Sequence, residues 1–367
     1  MNPLRLASLP LTIARNRQGE PTAPRFLTFI VTFTCNARCV MCDSWRKPSP
    51  EELTTAEIAA IFEQLPPLDM VRLTGGEPFV RPDLLDIARL VRQHLVPLVL
   101  HVTTNGFLTR RIVEFCEQRP RDLPLNLLVS LDGTEARHNE VRGRDTAWET
   151  ATDTLCALAP RQRELNLSLG VNQTVLDAGD VEEYRRLRDC LQPLGIRHHV
   201  VIAYRNSATY SVAGEGDAAP TQPGGFGAFG ELPTRALREL LDLAEADLVL
   251  APLPERVAKR YYLRGLWRRL LDHASEPQPP CVALRSHLRL YPNGDVPTCQ
   301  FNSRRVGNLR RQRFAEVGAG GRAGTQRDWV RRCAGCWAEC EVLPNALYSG
   351  DLWRSLLPAG GTRRPTT

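Results

Sequence analysis

Residues 32–45 read TFTCNARCVMCDSW and bring Cys35, Cys39 and Cys42 together on one short segment after an apolar run. A cubic 4Fe-4S cluster is normally held by four cysteine thiolates, one for each iron. Three cysteines, separated by three and then two residues, therefore predict a cluster with one iron left open for another ligand. Zinc is the alternative, but a structural zinc site needs four closed ligands, and no fourth Cys or His lies nearby in the sequence.

Six short apolar runs alternate along the chain with amphipathic stretches of helical periodicity. This alternation predicts parallel βα units in an α/β fold. The rules for such units allow either an open doubly wound sheet or a barrel, and the pattern alone does not choose between them. The predicted strands lie at residues 26–33, 71–73, 98–102, 125–131, 167–171 and 199–203.

Three further motifs follow predicted strands, at the end where the sites of barrel enzymes collect. They are Thr-Gly-Gly-Glu-Pro at 74–78, Thr-Thr-Asn-Gly at 103–106 and Val-Ser-Leu-Asp-Gly at 129–133, with His138 and Arg142 just downstream. With the cysteine triplet, and over about residues 27–206, they resemble the radical S-adenosylmethionine (radical SAM) superfamily. One departure is Met41, where the family usually has an aromatic residue.

This resemblance implies a partial (β/α)6 TIM-like barrel. It also implies S-adenosylmethionine (SAM) as a cofactor, bound to the open iron of the 4Fe-4S cluster through its methionine amino and carboxylate groups. Reduction of the cluster, by a donor such as flavodoxin or ferredoxin, would cleave SAM to methionine and a 5′-deoxyadenosyl radical. The protein would contribute placement of the reactants and exclusion of water.

The residues that would bind SAM follow from the same resemblance. Within the Gly75-Gly76-Glu77 turn, carbonyl oxygens and one carboxylate can accept bonds from the protonated amine. Ser130 and Asp132 lie two apart on a predicted strand, so both side chains would point the same way, towards the ribose. The remaining candidates are Asn105 and Asn172. A strand-end cap or an Asx turn is the alternative for the strand-end residues, and no catalytic role is assigned to the His and Arg downstream.

A second cysteine group lies near the C-terminus. Cys281 and Cys299 flank Gly294 in the spacing C-x12-G-x4-C, and C-x2-C-x3-C follows at residues 333–340. The arrangement resembles the SPASM/twitch branch of the superfamily, in which such cysteines hold an auxiliary 4Fe-4S cluster. Five cysteines suffice for one cluster, so the predicted ligands are Cys281, Cys299, Cys333 and Cys336, with Cys340 as an alternate or spare. A four-cysteine zinc site is the alternative.

The composition is that of an ordinary globular protein, with 43% hydrophobic and 24% charged residues. The net charge of +6 comes from arginines scattered among acids, so nucleic-acid binding is a minority interpretation. Eight of the 11 cysteines fall in the two groups above, which argues against a disulfide framework, and Cys116, Cys156 and Cys190 are expected as small core residues. We expect a cytoplasmic protein without a signal peptide or membrane span.

The pattern along the chain predicts five segments. They are an N-terminal extension (1–25), the core barrel (26–206), a linker with a helical segment (207–280), an auxiliary-cluster domain (281–345) and a C-terminal tail (346–367). Gly, Ala and Pro dominate residues 214–230, which predicts a loop. The Asn-Gly pair at 293–294 predicts a hairpin that joins strands near 286–291 and 295–299.

The resemblance to the SPASM/twitch branch implies a radical SAM oxidoreductase-type enzyme, and we expect it to abstract a hydrogen atom from a small molecule of the sugar, aminocyclitol or nucleotide class. An auxiliary cluster would favour oxidation or rearrangement. Modification of a ribosomal peptide is the alternative, which the short N-terminal extension disfavours, because peptide modifiers often carry a leader-binding module. A rival from another class is a noncatalytic iron–sulfur sensor or scaffold, and a second rival is an RNA-modifying radical enzyme. No residue can be named as an acid, base or radical relay.

Overall fold

The computed structural model describes residue 5 and residues 7–203, 207–212, 232–272, 279–333 and 335–356. Seven of its strands form one parallel sheet, and two more form an antiparallel pair. The strands are β1 (Phe26–Thr32), β2 (Met70–Gly75), β3 (Val99–Thr104), β4 (Leu125–Ser130), β5 (Leu167–Val175), β6 (Arg197–Ile202), β7 (His287–Leu290), β8 (Asp295–Pro297) and β9 (Arg305–Asn308).

The large sheet has the order β6-β5-β4-β3-β2-β1-β7. Its first six strands lie side by side in chain order, because each helical crossover returns the chain to the next position. The α/β class and the six predicted βα units are therefore confirmed. A seventh strand, which the sequence did not predict for this sheet, comes from the C-terminal region and pairs in parallel with β1.

The predicted hairpin at Asn293-Gly294 is wrong. The tight turn exists, with Gly294 at a φ of 89° and the Tyr291 N–H donating to the Asp295 carbonyl. The two strands that flank the turn, however, join different sheets. β7 adds to the parallel sheet, whereas β8 pairs antiparallel with β9. The β1 edge of the six-strand sheet was available to β7, so the backbone of β7 forms its hydrogen bonds there instead of beside β8.

Helices follow most strands and cover one face of the sheet. They are α1 (Leu9–Gln18), α2 (Thr55–Phe62), α3 (Leu84–Leu90), α4 (Thr109–Gln118), α5 (Glu135–Arg142), α6 (Ala147–Leu158), α7 (Asp180–Leu191), α8 (Thr234–Asp247), α9 (Leu253–Leu270), α10 (Phe314–Ala319), α11 (Gly321–Arg332), α12 (Glu339–Ser349) and α13 (Asp351–Arg354). One-turn 3-10 segments occur at Ser44–Arg46, Pro78–Val80, Ala159–Arg161, Gln192–Leu194 and Leu248–Leu250, and Val91–Leu95 is a π-turn.

The two faces of the sheet differ sharply in polarity. Side chains alternate along a strand, and the positions that face the helices are apolar and buried, as with Leu27, Leu73 and Val102. The positions between them carry polar side chains, among them Thr28, which lines an interior cavity. The helix-covered face is thus the hydrophobic core, and the other face lines a polar interior.

The second cysteine group is packed against α9. Gly265 of α9 lies so close to the Trp337 ring that a Cβ atom there would overlap it. The Trp337 indole also donates to the Tyr262 carbonyl at 2.9 Å. This contact fixes the segment after Cys336 on the helix.

Three further points concern the remaining predictions. The Gly- and Pro-rich residues 214–230 lie outside the described residues, and the predicted domain limits stay a prediction. Cys116 is buried as expected, but Cys156 and Cys190 are exposed, because both sit on the outer faces of their helices. No helix in the described ranges is long and apolar enough to cross a bilayer.

Candidate functional site

The glycine turn after β2 is pressed against the backbone that leads into the first cysteine loop. Gly76 donates its N–H to the Thr32 carbonyl and Glu77 donates to the Thr34 carbonyl, both at 2.9 Å. A Cβ atom at Gly76 would overlap the carbonyl oxygens of Phe33 and Thr34. Only glycine therefore fits this close approach, and the turn and the cysteine loop form one unit.

The Glu77 carboxylate is turned inward and is 1% exposed. It accepts bonds from the Phe79 N–H at 3.0 Å, the Thr104 hydroxyl at 2.8 Å and the Asn105 N–H at 2.6 Å. Burial raises its pKa to about 7 despite these donors. Glu77 thereby ties the end of β3 to the glycine turn, a structural role that the sequence did not reveal.

Asn105 extends this connection to the cysteines. Its side-chain amide donates to the Asn36 side chain at 2.7 Å, and its oxygen accepts from the Phe107 N–H at 3.0 Å. Asn36 directly follows Cys35 in the chain. The candidate Asn105 is therefore brought next to the cysteine loop by a direct contact.

The three N-terminal thiols lie close enough to affect one another electrostatically. Two of the sulfur atoms accept a hydrogen bond from the backbone N–H two residues later in the chain. Ala37 N–H donates to Cys35 at 3.4 Å, and Ser44 N–H donates to Cys42 at 3.5 Å. Burial raises the pKa of Cys35 to about 12 and that of Cys42 to about 11. The Cys35 and Cys42 thiols are therefore neutral on their own, and a bound metal must displace their protons.

Asp132 is placed apart from the other SAM-site candidates, and its role towards the ribose stays a prediction. β4 ends at Ser130, so the alternation of side chains does not continue to Asp132, which is fully buried. Its carboxylate pairs with Arg142 through two bonds of 2.5 and 2.9 Å. A third nitrogen of Arg142 lies 3.5 Å from Cys39 Sγ. Asp132 therefore positions an arginine beside a cysteine.

His138 supports the same pair. Burial lowers its pKa to about 4, so its ring is neutral at neutral pH, and its Nδ1 accepts the Asp132 N–H at 3.0 Å. The motif pair downstream of β4 is thus a support for Asp132 and for the cysteine loop. Neither residue reaches the polar interior of the sheet.

Ser130 and Asn172 remain together. They are register partners on the neighbouring strands β4 and β5. Asn172 lies inside its strand, which removes the strand-end cap as its alternative role, and it lines the interior cavity. The structure therefore places Gly75, Gly76, Asn105 and Ser130 at the carboxyl ends of the adjacent strands β2, β3 and β4, with Asn172 level with Ser130 on β5. Asp132 is separated from them.

The C-terminal cysteines come from three separate segments. The backbone N–H two residues later in the chain again donates a hydrogen bond to the sulfur atoms of Cys281, Cys299 and Cys333. Burial raises the pKa of Cys281 to about 12. Cys340 differs, because its thiol donates to the Gln300 side chain at 3.0 Å and lines the interior cavity.

A buried charge network holds this second group in place. Glu341, directly after Cys340, bonds Arg289 of β7 at 2.5 Å and lies 3.3 Å from His287. Burial alone would raise the pKa of Glu341, but Arg289 and His287 outweigh it and hold the value at about 2. The network joins α12 to the edge strand of the main sheet.

Four residues of the polar interior were missed by the sequence analysis: Arg72, His101, Tyr210 and Arg289, all of which line the cavity. Tyr210 bonds Thr74 and lies near both Cys42 and Cys340, and burial raises its pKa to about 12. For Arg72, His101 and Arg289 the available signal was a charged residue or a histidine inside an apolar strand, in the MVRLTG, VLHVTT and HLRL segments.

Comparison with known families decides the identity of the fold. A sequence model of the radical SAM superfamily matches residues 29–188. A model of the SPASM iron–sulfur cluster-binding domain matches residues 281–337. The chain belongs to the radical SAM superfamily. It carries a SPASM-type C-terminal domain, and both domains imply 4Fe-4S clusters with SAM as cofactor, which supports an auxiliary cluster over the zinc alternative.

Several relatives within this superfamily are similar to parts of the chain. The AdoMet-dependent heme synthase of Methanosarcina barkeri is 32% identical over 48% of this chain and 50% of its own length. Mycofactocin maturase MftC of Mycobacterium ulcerans is 34% identical over 33% of each chain. The chain thus matches half or less of these relatives.

A solved structure shows the fold over a larger extent. SuiB of Streptococcus suis, bound to S-adenosylmethionine, superposes with a TM-score of 0.58 over 89% of this chain and 73% of its own. The sequence identity is 16%, so this likeness shows the fold alone.

The residues present fit the cofactors of the radical SAM superfamily. At the first cysteine group, backbone N–H groups already face two sulfur atoms, as thiolate ligands require. At the second, both terminal nitrogens of Arg269 are buried without a partner beside Cys333 and Cys336, ready for an anionic group. Among the described side chains no three His, Cys, Asp or Glu converge to hold a single metal ion, whereas a cubic cluster spaces its thiolates around four irons.

Proposed function

We propose that this chain is a radical SAM enzyme that abstracts hydrogen from a small-molecule substrate held in the polar interior of the sheet. One observation carries the proposal. A cavity of about 200 Å³ is lined both by Thr74, directly before the glycine turn, and by Cys340 of the second cysteine group. A substrate placed there would contact residues from both cysteine-bearing regions.

The proposed roles of the SAM-site residues follow from their positions. Cys35, Cys39 and Cys42 hold the first cluster, and Gly75 and Gly76 offer carbonyl oxygens to the methionine amine. When bound, the reduced cluster supplies the electron that cleaves SAM to methionine and a 5′-deoxyadenosyl radical. Glu77 orients the turn, and Asn105, Ser130 and Asn172 face the nucleoside.

For the auxiliary cluster we keep Cys281, Cys299, Cys333 and Cys336 as ligands. Cys340 is the spare, because its thiol already bonds Gln300 and faces the cavity. In that position Cys340 borders the substrate. A cluster held by the other four cysteines would supply an acceptor for an electron from the substrate, which favours an oxidation.

The cavity favours a small substrate or a single small group of a larger one, since ligand pockets commonly measure about 300–1,000 Å³. Modification of a peptide side chain is the second candidate. It is favoured by the match to the mycofactocin maturase and by the likeness in fold to SuiB, which has been solved with its precursor peptide SuiA. A flavodoxin or ferredoxin is the proposed electron donor for either.

Anaerobic incubation of the iron-loaded protein with SAM and dithionite tests the proposal. We expect 5′-deoxyadenosine and methionine in equal amounts, measured by mass spectrometry. A Cys39→Ser variant should yield neither, and a Cys156→Ser variant, which changes an exposed cysteine outside both groups, should behave as the wild type. Absence of 5′-deoxyadenosine from wild-type protein with a full iron content contradicts the proposal.

A further inference from the structure

A row of polar side chains crosses five neighbouring strands at one level of the sheet. Its members are register partners: Arg289 of β7 with Thr28 of β1, Thr28 with Arg72 of β2, Arg72 with His101 of β3, and His101 with Asn126 of β4. All but Asn126 line the interior cavity. Parallel strands hold such a row rigidly, because each side chain rises from a hydrogen-bonded ladder.

Arg72 is the charged member of the row that has no ion-pair partner among the described residues. Its guanidinium lies over the Phe26 ring, 5.3 Å from the centroid, and its Nε atom is buried without a hydrogen-bond partner. Among the described residues no carboxylate pairs with it. A guanidinium in a half-buried site without an anion is unfavourable, so the cavity is electrostatically incomplete as it stands.

The other cations near the cavity are already paired. Arg289 bonds Glu341, Lys259 bonds Glu339 at 2.7 Å, and Arg197 bonds Glu255. Arg289 still has a buried Nε atom without a partner, and this atom can donate one bond without adding net charge. Among the residues that line the cavity and their ion-pair partners, this leaves an excess of one positive charge.

His101 adds a neutral donor beside Arg72. Arg197 donates to the Asn126 side-chain oxygen at 2.8 Å, which fixes the amide so that its nitrogen donates to His101 Nδ1 at 3.1 Å. The ring proton therefore sits on Nε2, on the side of Thr103 at 3.5 Å. Burial and the nearby cations Arg72, Lys259 and Arg197 hold the pKa of His101 well below its ordinary value.

We infer that this row is a carboxylate subsite, in which Arg72 pairs with a carboxylate of the substrate and His101 Nε2–H and Arg289 Nε–H donate to it. The inference rests on the proposed function, because it names the substrate class for the same cavity: a carboxylic acid. One excess charge matches a monoanion, whereas a phosphate carries about 1.5–2 negative charges. The forked guanidinium also matches the planar carboxylate.

The lining of the cavity also contains an acceptor. Glu339 bonds Lys259 through one oxygen, and its other oxygen is buried without a partner. An amine or hydroxyl group on the same substrate can donate to it. The site thereby favours an acid that carries a hydrogen-bond donor some distance from its carboxylate.

Binding of small probes to the protein with both clusters loaded, without reductant, tests the inference. Sodium propionate should raise the melting temperature in a saturable manner at constant ionic strength. Propionamide and inorganic phosphate should not. Arg72→Met should weaken propionate binding at least tenfold, whereas Arg110→Met, which removes an arginine whose side chain is 88% exposed, should leave it unchanged.

Several results would overturn the inference. If propionate and propionamide raise the melting temperature of the wild-type protein equally, the site does not recognise the carboxylate charge. If phosphate binds and propionate does not, the site is a phosphate site. If Arg72→Met loses SAM affinity, the guanidinium serves the SAM carboxylate; if it alters only the auxiliary-cluster spectrum, it serves Cys340. Failure of the proposed function is separate, since it would appear as a lack of 5′-deoxyadenosine from the wild-type protein with a full iron content, whether or not that protein binds propionate.

Discussion

The two cysteine groups reach a similar chemical environment by different routes. In both, backbone N–H groups two residues ahead meet the sulfur atoms. The first group lies on one loop that is locked to the glycine turn by backbone contacts. The second draws on three segments and is held by side chains, above all the Glu341 network and the Gly265–Trp337 contact.

The first cysteine group is therefore held in place mainly by backbone contacts, and the second mainly by side-chain contacts. The first group depends on close approach of main chains, so it tolerates little change at its glycines. The second depends on buried side-chain packing and charge, so it can be weakened in steps. We expect the two clusters to be lost independently of each other.

The largest effect is expected from Gly76→Ala. The added Cβ atom would overlap the carbonyl oxygens of Phe33 and Thr34, so the turn must move away from the cysteine loop. Iron should fall from about eight to about four atoms per chain, and SAM cleavage should disappear. Gly318→Ala, at a position with open space, is the matched control and should keep both. Full iron and full activity in Gly76→Ala would contradict the backbone lock.

Replacing Cys299 and Cys336 together by serine tests the other group. Iron, measured per chain, should again fall to about four atoms, but conversion of SAM to 5′-deoxyadenosine should persist. A Cys116→Ser variant controls for loss of a buried thiol outside both groups. Loss of SAM cleavage in the double variant, with four irons retained, would show that the two groups are not independent.

A smaller effect is expected from Gly265→Ala, because its Cβ atom would overlap the Trp337 ring. Overpacking of this kind costs about 1–3 kcal/mol, which should lower the unfolding free energy in a denaturant titration and the auxiliary iron content. Gly324→Ala, in helix α11 with open space, should instead stabilise the protein by roughly 0.4–1 kcal/mol. Equal stability of the two variants would refute the contact.

The smallest effect concerns the two arginines beside the cysteines. Arg142→Lys keeps the charge but cannot hold Asp132 and reach Cys39 at once. Loss of a donor near a ligand sulfur should lower the reduction potential of the first cluster by on the order of tens of millivolts. Arg269→Lys should shift only the second cluster, as followed by redox titration. If either variant shifts the reduction potential of the other cluster instead, the assignment of these arginines to their cysteine groups is wrong.

Much of the fold was readable from the sequence, because strand and helix periodicities and the cysteine spacing are local signals. The seventh strand was not, because HLRL is too short to reveal its partner, and the Asn-Gly turn pointed to a hairpin. Where β7 pairs depends on an edge of the sheet formed about 260 residues earlier in the chain, at β1.

The site was predicted unevenly for related reasons. Cysteines and glycines carry their chemistry in their identity and spacing, so they were found. The direction of the Asp132 side chain was not predictable, because the alternation of side chains ends with β4. Arg72, His101 and Arg289 were missed because each is one polar residue in an apolar strand, and only the register of the sheet places them in one row.

The central claim is that Cys35, Cys39 and Cys42 hold a cluster with an open iron that binds SAM. It is tested most directly by electron paramagnetic resonance of the reduced Cys299→Ser/Cys336→Ser protein, with and without SAM. The claim predicts the signal of a reduced 4Fe-4S cluster whose g values shift when SAM is added. A signal that SAM leaves unchanged, or no signal from an iron-loaded protein, would contradict it.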